Sequence, residues 1–277
     1  MTMIRGNTAL RKSLLPRLQL FEWHELAWFP ETFRNAITEV LRVLCLRMRV
    51  QDVIAPVLER LLEETRTDRV VDLCSGAGGP IVAIQERFAA AGHPIFVLLT
   101  DKFPNVAAFR LAEATGGGYI RGLGEAVDAV AVPEYAAGVR TLFNAFHHFP
   151  PKGARAILAD AYRRRQPIAI FEITERSLFN TASNFVLSFA TMLILLPATR
   201  ARRAAWWWFT YALPLLPAAF GWDAFVSCMR SYTAEEFDRL KKGLEDDSYS
   251  WRNGKVLVPG SPIAITYFLG VPQVFDN

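Results

Sequence analysis

Cysteine is scarce in this chain. The three residues, Cys45, Cys74 and Cys228, stand far apart, form no CxxC pair and are odd in number, so at least one thiol stays unpaired. This argues against a disulfide framework and a cysteine-based zinc module, favours a reducing, cytoplasmic setting, and leaves no metal site expected from spacing. Charge of one sign is also in short supply: 31 Lys+Arg against 27 Asp+Glu gives a formal +4. So small an excess does not argue for a nucleic-acid partner unless the basic residues share one face. The one short cluster, Arg163-Arg164-Arg165, falls at an expected helix end, where it suits the helix dipole. The first twenty residues lack the continuous apolar run of a secretory signal, because Arg5, Arg11, Lys12 and Arg17 interrupt it. No internal repeat and no low-complexity linker is present.

Apolar residues are what the chain has in plenty. They make up 52% of 277 residues, and the mean hydropathy is +0.17. Such a chain is too apolar for disorder and suits one well-filled domain, or a domain with a cap. Residues 18–66 read as helices, with Ile37, Leu41, Leu44 and then Val57, Leu58, Leu61, Leu62 at helical spacing. Pro30 sits where a helix can begin, and Pro56 is expected to kink or restart one. Residues 1–66 are therefore expected to form an N-terminal helical cap, and residues 67–277 the main domain.

From Arg69 the pattern becomes strand, glycine loop and helix. Arg69 to Leu73 is a short buried-strand run, Cys74-Ser75-Gly76-Ala77-Gly78-Gly79-Pro80 a loop, and Ile81 to Ala91 a helix. Further strands are expected at 94–100, around 119–123, at 142–146 and at 168–173, with helices near 106–114 and 152–164 between them. Strand-helix alternation over this length predicts an α/β fold with a doubly wound parallel sheet. Ligands of such sheets sit beyond the carboxyl ends of the strands, where Ser75, Asp101, Asn144, His147 and Glu172 fall. A dinucleotide fingerprint begun at Gly76 requires glycine where Ile81 stands, so that reading fails.

The segment Asp72-Leu73-Cys74-Ser75-Gly76-Ala77-Gly78 instead resembles motif I of the class I S-adenosylmethionine-dependent methyltransferase superfamily. The resemblance covers about residues 69–175 and implies a Rossmann-like methyltransferase sheet with S-adenosylmethionine as cofactor. It places Asp72 near the methionyl end and the backbone of Ser75, Gly76 and Gly78 close to the cofactor. Asp101 matches the acidic residue that takes both ribose hydroxyls, since two carboxylate oxygens suit two vicinal donors. Asp128, with Ala129 beside it, matches the later acidic position that accepts from the adenine amine, and Asn144 joins the cofactor side. Cys74 departs from the commoner glycine at its place. Asp128, like the other acids, is expected at a strand end.

Methyl transfer from a sulfonium is an in-line displacement, so a protein must chiefly align the acceptor and exclude water. A base is needed when the acceptor has a proton to lose, and His147 and His148, after the fourth strand, are the candidates. Adjacent strand positions face opposite ways, so at most one of the two is expected to face the cofactor. Asn144-Ala145-Phe146-His147 does not match the Asn-Pro-Pro-aromatic motif of amino-adenine and glutamine methyltransferases. Glu172 and Glu175 can orient an acceptor or pair with Arg176. Trp28 and Phe29, with His24 and Glu25, can form a lid, and Arg230 and Tyr232 are candidates for the acceptor pocket.

Residues 177–199 and 204–222 hold no charge, with Arg200, Arg202 and Arg203 between them. Both runs approach the ~20 residues of a membrane span. Three prolines, Pro197, Pro214 and Pro217, and a basic turn that would cross against the positive-inside tendency argue instead for an apolar helical insertion at 177–222. Trp206, Trp207, Trp208, Phe209 and Tyr211 suit a membrane surface or an apolar substrate. The expectation is an enzyme moving a methyl group to a small hydrophobic or lipid-like acceptor, cytoplasmic and able to lie at the inner membrane face. The alternatives are a non-catalytic membrane-associated or interaction module on the same scaffold, and a non-methylating enzyme that uses the cofactor pocket.

Overall fold

The computed structural model describes residues 15–200, 203–261 and 263–273, apart from the side chains of 180 and 182. Arg5, Arg11, Lys12 and Arg202, used in the reasoning above, lie outside these residues.

A seven-stranded sheet runs in the order β3-β2-β1-β4-β5-β7-β6. Its parallel part is β1 (Arg69–Leu73), β2 (Phe96–Leu99), β3 (Ile120–Gly122), β4 (Val139–Phe143) and β5 (Ile168–Glu172). The closing pair, β6 (Tyr249–Leu257) and β7 (Ala264–Pro272), is antiparallel, and β7 also pairs antiparallel with β5. The chain order reverses between β1 and β4, which opens a crevice above their carboxyl ends. Asp72 lies opposite Leu99 on β2 and Thr141 on β4, so the first acidic residue sits at the centre of that crevice.

Helices cover both faces. On one, α2 (Val50–Glu64), α3 (Gly79–Ala90) and α4 (Val106–Thr115) bury Leu58, Leu61, Ile81, Ile84 and Phe109 against Val70, Val97 and Val139. On the other, α5 (Pro151–Arg163) and α9 (Ala234–Lys241) bury Ile157, Leu158 and Phe237 against Val71, Leu142, Ile170 and Phe268. Thr233 and Glu236 form the expected capping box at the start of α9. A third cluster joins α1 (Glu31–Arg47) to the apolar insertion, which folds as α6 (Leu178–Leu195), α7 (Ala204–Trp207) and α8 (Leu215–Arg230). Phe29, Ile37 and Val40 there meet Met192, Trp206, Leu216 and Phe220. The N-terminal helices and the insertion thus share one core.

The structure corrects three boundaries. Residues 18–30 are a strap with one short turn, Trp23–Glu25, and not part of a long helix. The break between α1 and α2 falls at Arg49, whose φ is 54°, whereas α2 runs through Pro56. The fourth strand lies three residues earlier than its apolar run suggests, because it contains Arg140. That side chain is 1% exposed and pairs with Asp160 at 2.7 Å, so a charge that reads as a strand break is a buried ion pair.

Candidate active site

The glycine loop follows β1 with three left-handed residues in five positions, Cys74 (φ 60°), Gly76 (56°) and Gly78 (89°). Only glycine adopts such angles freely, which explains why glycine suits the place of Cys74. At Gly78 a Cβ would come within 2.9 Å of Val82. The loop is locked to the second strand: the Gly76 amide donates to Asp101 Oδ2 at 2.8 Å, and the Phe103 amide donates to Oδ1 at 2.8 Å. Each carboxylate oxygen keeps a further lone pair for a vicinal diol. Ser75 Oγ donates to the Asp72 carbonyl at 3.0 Å and accepts from the Thr100 amide at 3.1 Å. Burial pushes Asp101 above the usual carboxylate range.

Asp72 sits behind the loop. Its Oδ1 accepts from Thr141 Oγ1 at 2.7 Å, and burial pushes its pKa up to about 7. Asp128 is not at a strand end; it lies in the loop between β3 and β4, where the Val127 amide donates to the Asp101 carbonyl at 2.8 Å. Its Oδ1 caps the Val130 amide at 3.1 Å, and Lys102 Nζ stands 3.5 Å from Oδ2. Ala129 is buried in the core cluster beside α5. Asn144 (φ 50°) holds β4 to the end of β5, its Oδ1 accepting from the Ile173 and Thr174 amides at 3.2 and 3.3 Å.

Across the crevice His147 and His148 lie on a short helical turn, Phe146–His148, and not on the strand itself. They do not face opposite ways: their ring centroids are 4.2 Å apart and both meet carboxylates. His147 Nδ1 is 2.6 Å from Glu172 Oε2, and Glu172 Oε1 accepts from the Phe146 amide at 2.8 Å. Burial favours the neutral form of Glu172, but the His147 charge and hydrogen bond outweigh it and hold its pKa below the usual range. Glu172 therefore orients a histidine and does not pair with Arg176, which pairs with Glu236 at 2.7 Å; Glu175 pairs with Lys255 at 3.0 Å.

Sequence reasoning named His24, Glu25 and Arg230 but missed Glu22 and Asp223, which complete the group that covers this turn. Glu22, wholly buried, lies 3.3 Å from His148 Nδ1 and 3.8 Å from His147 Nε2. Glu25 is 3.0 Å from His148 and takes a two-pronged contact from Arg230 at 2.6 and 2.9 Å. Asp223 of α8 accepts from the Trp23 amide at 2.7 Å and touches His24 Nδ1 at 2.8 Å. Burial alone would lower His24, but Asp223 and its acidic neighbours push it up to about 9. Arg17 donates to the carbonyls of Arg230, His147 and Phe149, and Arg34 of α1 donates to those of His24 and Leu26. The signal in the sequence was Glu22-Trp23-His24-Glu25, two acids around a histidine.

Of the acceptor candidates, Arg230 belongs to this charged group. Tyr232 serves as a prop, its hydroxyl donating to the Phe149 carbonyl at 2.7 Å under the Arg17 guanidinium. Phe29 is core and Trp28 stands 69% exposed, so neither reaches the histidines in this arrangement.

No family model matches the chain, and no curated protein sequence matches it. Among solved structures, an O-methyltransferase family protein from Burkholderia thailandensis is 12% identical, with TM-score 0.49 over 83% of this chain and 58% of that one. The mitomycin 7-O-methyltransferase MmcR is 13% identical, TM-score 0.44, over 86% and 54%. LepI, solved in complex with SAM, is 16% identical, TM-score 0.43, over 75% and 43%. The chain spans about half the length of these structures, and likenesses this distant carry no residue roles to it. The fold itself is the doubly wound, Rossmann-like sheet that the motif resemblance implies.

Proposed function

We propose that this protein is an S-adenosylmethionine-dependent methyltransferase acting on a small hydrophobic or lipid-like acceptor. The observation that carries the reading is the two-sided crevice at the reversal of strand order: Gly76 tied to Asp101 on one side, His147 tied to Glu172 on the other. The residues present fit the cofactor. Asp101 retains acceptor capacity for the ribose hydroxyls, the glycine loop brings backbone close without side chains, and Asp128 stands within reach of the Asp101 loop for the adenine amine. Bound there, the cofactor supplies an electrophilic methyl group.

The chain's own work is then alignment and proton removal. Glu172 takes the proton-bearing Nδ1 of His147, which leaves the Nε2 lone pair as the base. Nε2 has no hydrogen-bond partner among the described residues. In that role it would accept the proton that an acceptor hydroxyl or amine must give up on methylation. The strap over His147 excludes water, and acceptor entry requires it to lift. His148, partly exposed, lines the entry beside it.

An apolar acceptor is favoured by the insertion. Its α8 carries Asp223 and Arg230 into the charged group, while α6 turns Phe179, Val186, Leu187 and Ile194 to solvent. A lipid-borne acceptor can thus arrive along the same hairpin that frames the site.

Isothermal titration with S-adenosylmethionine and S-adenosylhomocysteine, comparing wild type with Asp101→Ala, tests the pocket; the variant is expected to bind at least about tenfold more weakly. Radiolabelled methyl transfer into apolar extracts then tests the base. His147→Asn is expected to keep cofactor affinity and lose about 10²–10⁴-fold in turnover. Folded wild-type protein that binds neither cofactor form would overturn the reading and leave a scaffold that works through its apolar insertion. Cofactor binding with no methylated product would point to another reaction in the same pocket.

A further inference from the structure

Beside the His147–Glu172 pair three other side chains converge from separate stretches of chain: Glu22 and His24 of the strap, and His148 of the turn after β4. One ligand-capable atom from each of Glu22, His24 and His148 lies within 4.8 Å of those of the other two. Glu22 Oε2 is 3.3 Å from His148 Nδ1 and 3.6 Å from His24 Nδ1. An ion held at ~2.0–2.1 Å by tetrahedral nitrogen and oxygen ligands keeps those ligands ~3.3–3.5 Å apart, so the Glu22–His148 edge already has the right length and the Glu22–His24 edge is slightly long.

Spacing alone does not make a site, and two further observations point to a cation. The Glu22 side chain is 0% exposed, yet its Oε2 has no hydrogen-bond partner among the described residues. His148 Nδ1 faces that oxygen at 3.3 Å, with Glu25 Oε1 3.0 Å away. A buried carboxylate oxygen that accepts no hydrogen bond is poorly placed unless something sits against it. Charge agrees. Once ligation has taken the protons from the imidazoles, including the one that Asp223 favours on His24, the three carboxylates Glu22, Glu25 and Asp223 outnumber the Arg230 guanidinium by two. A divalent cation matches that remainder, and Asp223 Oδ2, 2.8 Å from His24 Nδ1, is near enough to exchange its hydrogen bond for a fourth ligand position.

We infer that Glu22, His24 and His148 form a binding site for a zinc-type divalent metal ion, which pins the N-terminal strap to the histidine turn. Two imidazoles and a carboxylate suit zinc, and cobalt can report on the same geometry. The site does not rest on the methyltransferase reading, since none of its three ligands is used to hold the cofactor.

The test uses the full chain freed of metal with a chelator. Calorimetric titration with Zn²⁺ and visible absorption with Co²⁺ are expected to show one equivalent per chain, with the d–d bands of a low-symmetry nitrogen–oxygen site. Glu22→Gln, His24→Asn and His148→Asn are each expected to weaken binding at least about tenfold. His93→Asn is the control, because His93 forms an exposed pair with Glu59 at 3.3 Å and has the same ligand types without the buried frame. If the three variants fail to fold, one equivalent of Zn²⁺ is expected to protect His24 and His148 of the wild type, and not His93, from carbethoxylation mapped by mass spectrometry. Absence of stoichiometric binding, binding that only His93→Asn removes, or unprotected His24 and His148 would overturn the site. Titrating S-adenosylmethionine into the same variants separates the two readings, for metal loss with cofactor affinity retained concerns this site alone.

Discussion

Asp72 shows how a single buried residue can be costly to the fold. Its carboxyl is buried, held by the Thr141 hydroxyl and pushed up to about 7 from a usual 3.8. A native pKa above the unfolded one means that the folded state holds the extra proton between these values. Stability therefore falls as pH rises from about 4 to 7 and stays reduced above it. Asp72→Asn keeps an acceptor for Thr141 and cannot ionise. It is expected to match wild type in melting temperature at pH 4, and to exceed it at pH 8 by on the order of 4 kcal/mol, or about 8–16 °C. Thermal melts without cofactor, at both pH values, decide it. A variant less stable than wild type at pH 8 would mean that the ionised carboxylate is well solvated where it sits. This residue was legible in the sequence, as were Asp101 and the loop, because strand, glycines and acid are neighbours along the chain. Glu22 and Asp223 were not, and Arg230 was singled out without its partners, because their meeting depends on a strap and an insertion some 200 residues apart (Arg230 to Glu22 is 208 positions).

At the scale of elements, the crossing of α6 and α8 is set by a small residue. A Cβ on Gly221 would lie 2.9 Å from the Phe185 carbonyl oxygen and 3.3 Å from its ring. In an exposed helix Gly→Ala gains about 1 kcal/mol. Here the helices must part to admit the methyl, and overpacking of this kind costs about 1–3 kcal/mol. Gly221→Ala is therefore expected to lower the melting temperature, by about 2–4 °C for each kcal/mol of net loss. A variant as stable as wild type would show that the two helices slide without cost. The insertion could be read as helical and apolar from its missing charges, but not its packing: Pro197 follows the end of α6 and Pro214 precedes α8, as expected, but Pro217 lies in the first turn of α8 and interrupts nothing, and the partner helix, α1, lay far back in the chain. The fourth strand was misplaced for the opposite reason. Local hydrophobicity hid Arg140, whose partner Asp160 is on α5.

The whole molecule has one side that its own core does not use. Along α6, Phe179, Val186, Leu187 and Ile194 recur at helical spacing and are 61–81% exposed. The Tyr211 hydroxyl donates to the Leu193 carbonyl at 2.7 Å, which joins this row to Trp207 and to Trp208, 62% exposed. Among the described residues no single helix is long and apolar enough to cross a membrane, and the one pair that qualifies together, 204–212 with 215–230, is bent by 79°. An apolar row ending in tryptophan and tyrosine, with Arg200 and Arg203 at the turn, has the make-up of a surface that lies in the lipid headgroup region. Such contact adds a salt-sensitive attraction to anionic lipid to the burial of apolar side chains. The protein is therefore expected to co-sediment with phosphatidylcholine vesicles that contain phosphatidylglycerol, more weakly with phosphatidylcholine alone, and less as salt is raised. Phe179→Glu combined with Ile194→Glu removes two apolar side chains and adds two negative charges on the outer face, away from Asp101 and His147. It should cut vesicle binding at least about tenfold while leaving cofactor affinity intact. If the wild type ignores anionic vesicles and light scattering instead gives a dimer that the same double variant splits, the row is a contact between copies of this chain. The acceptor would then have to reach the strap from solution.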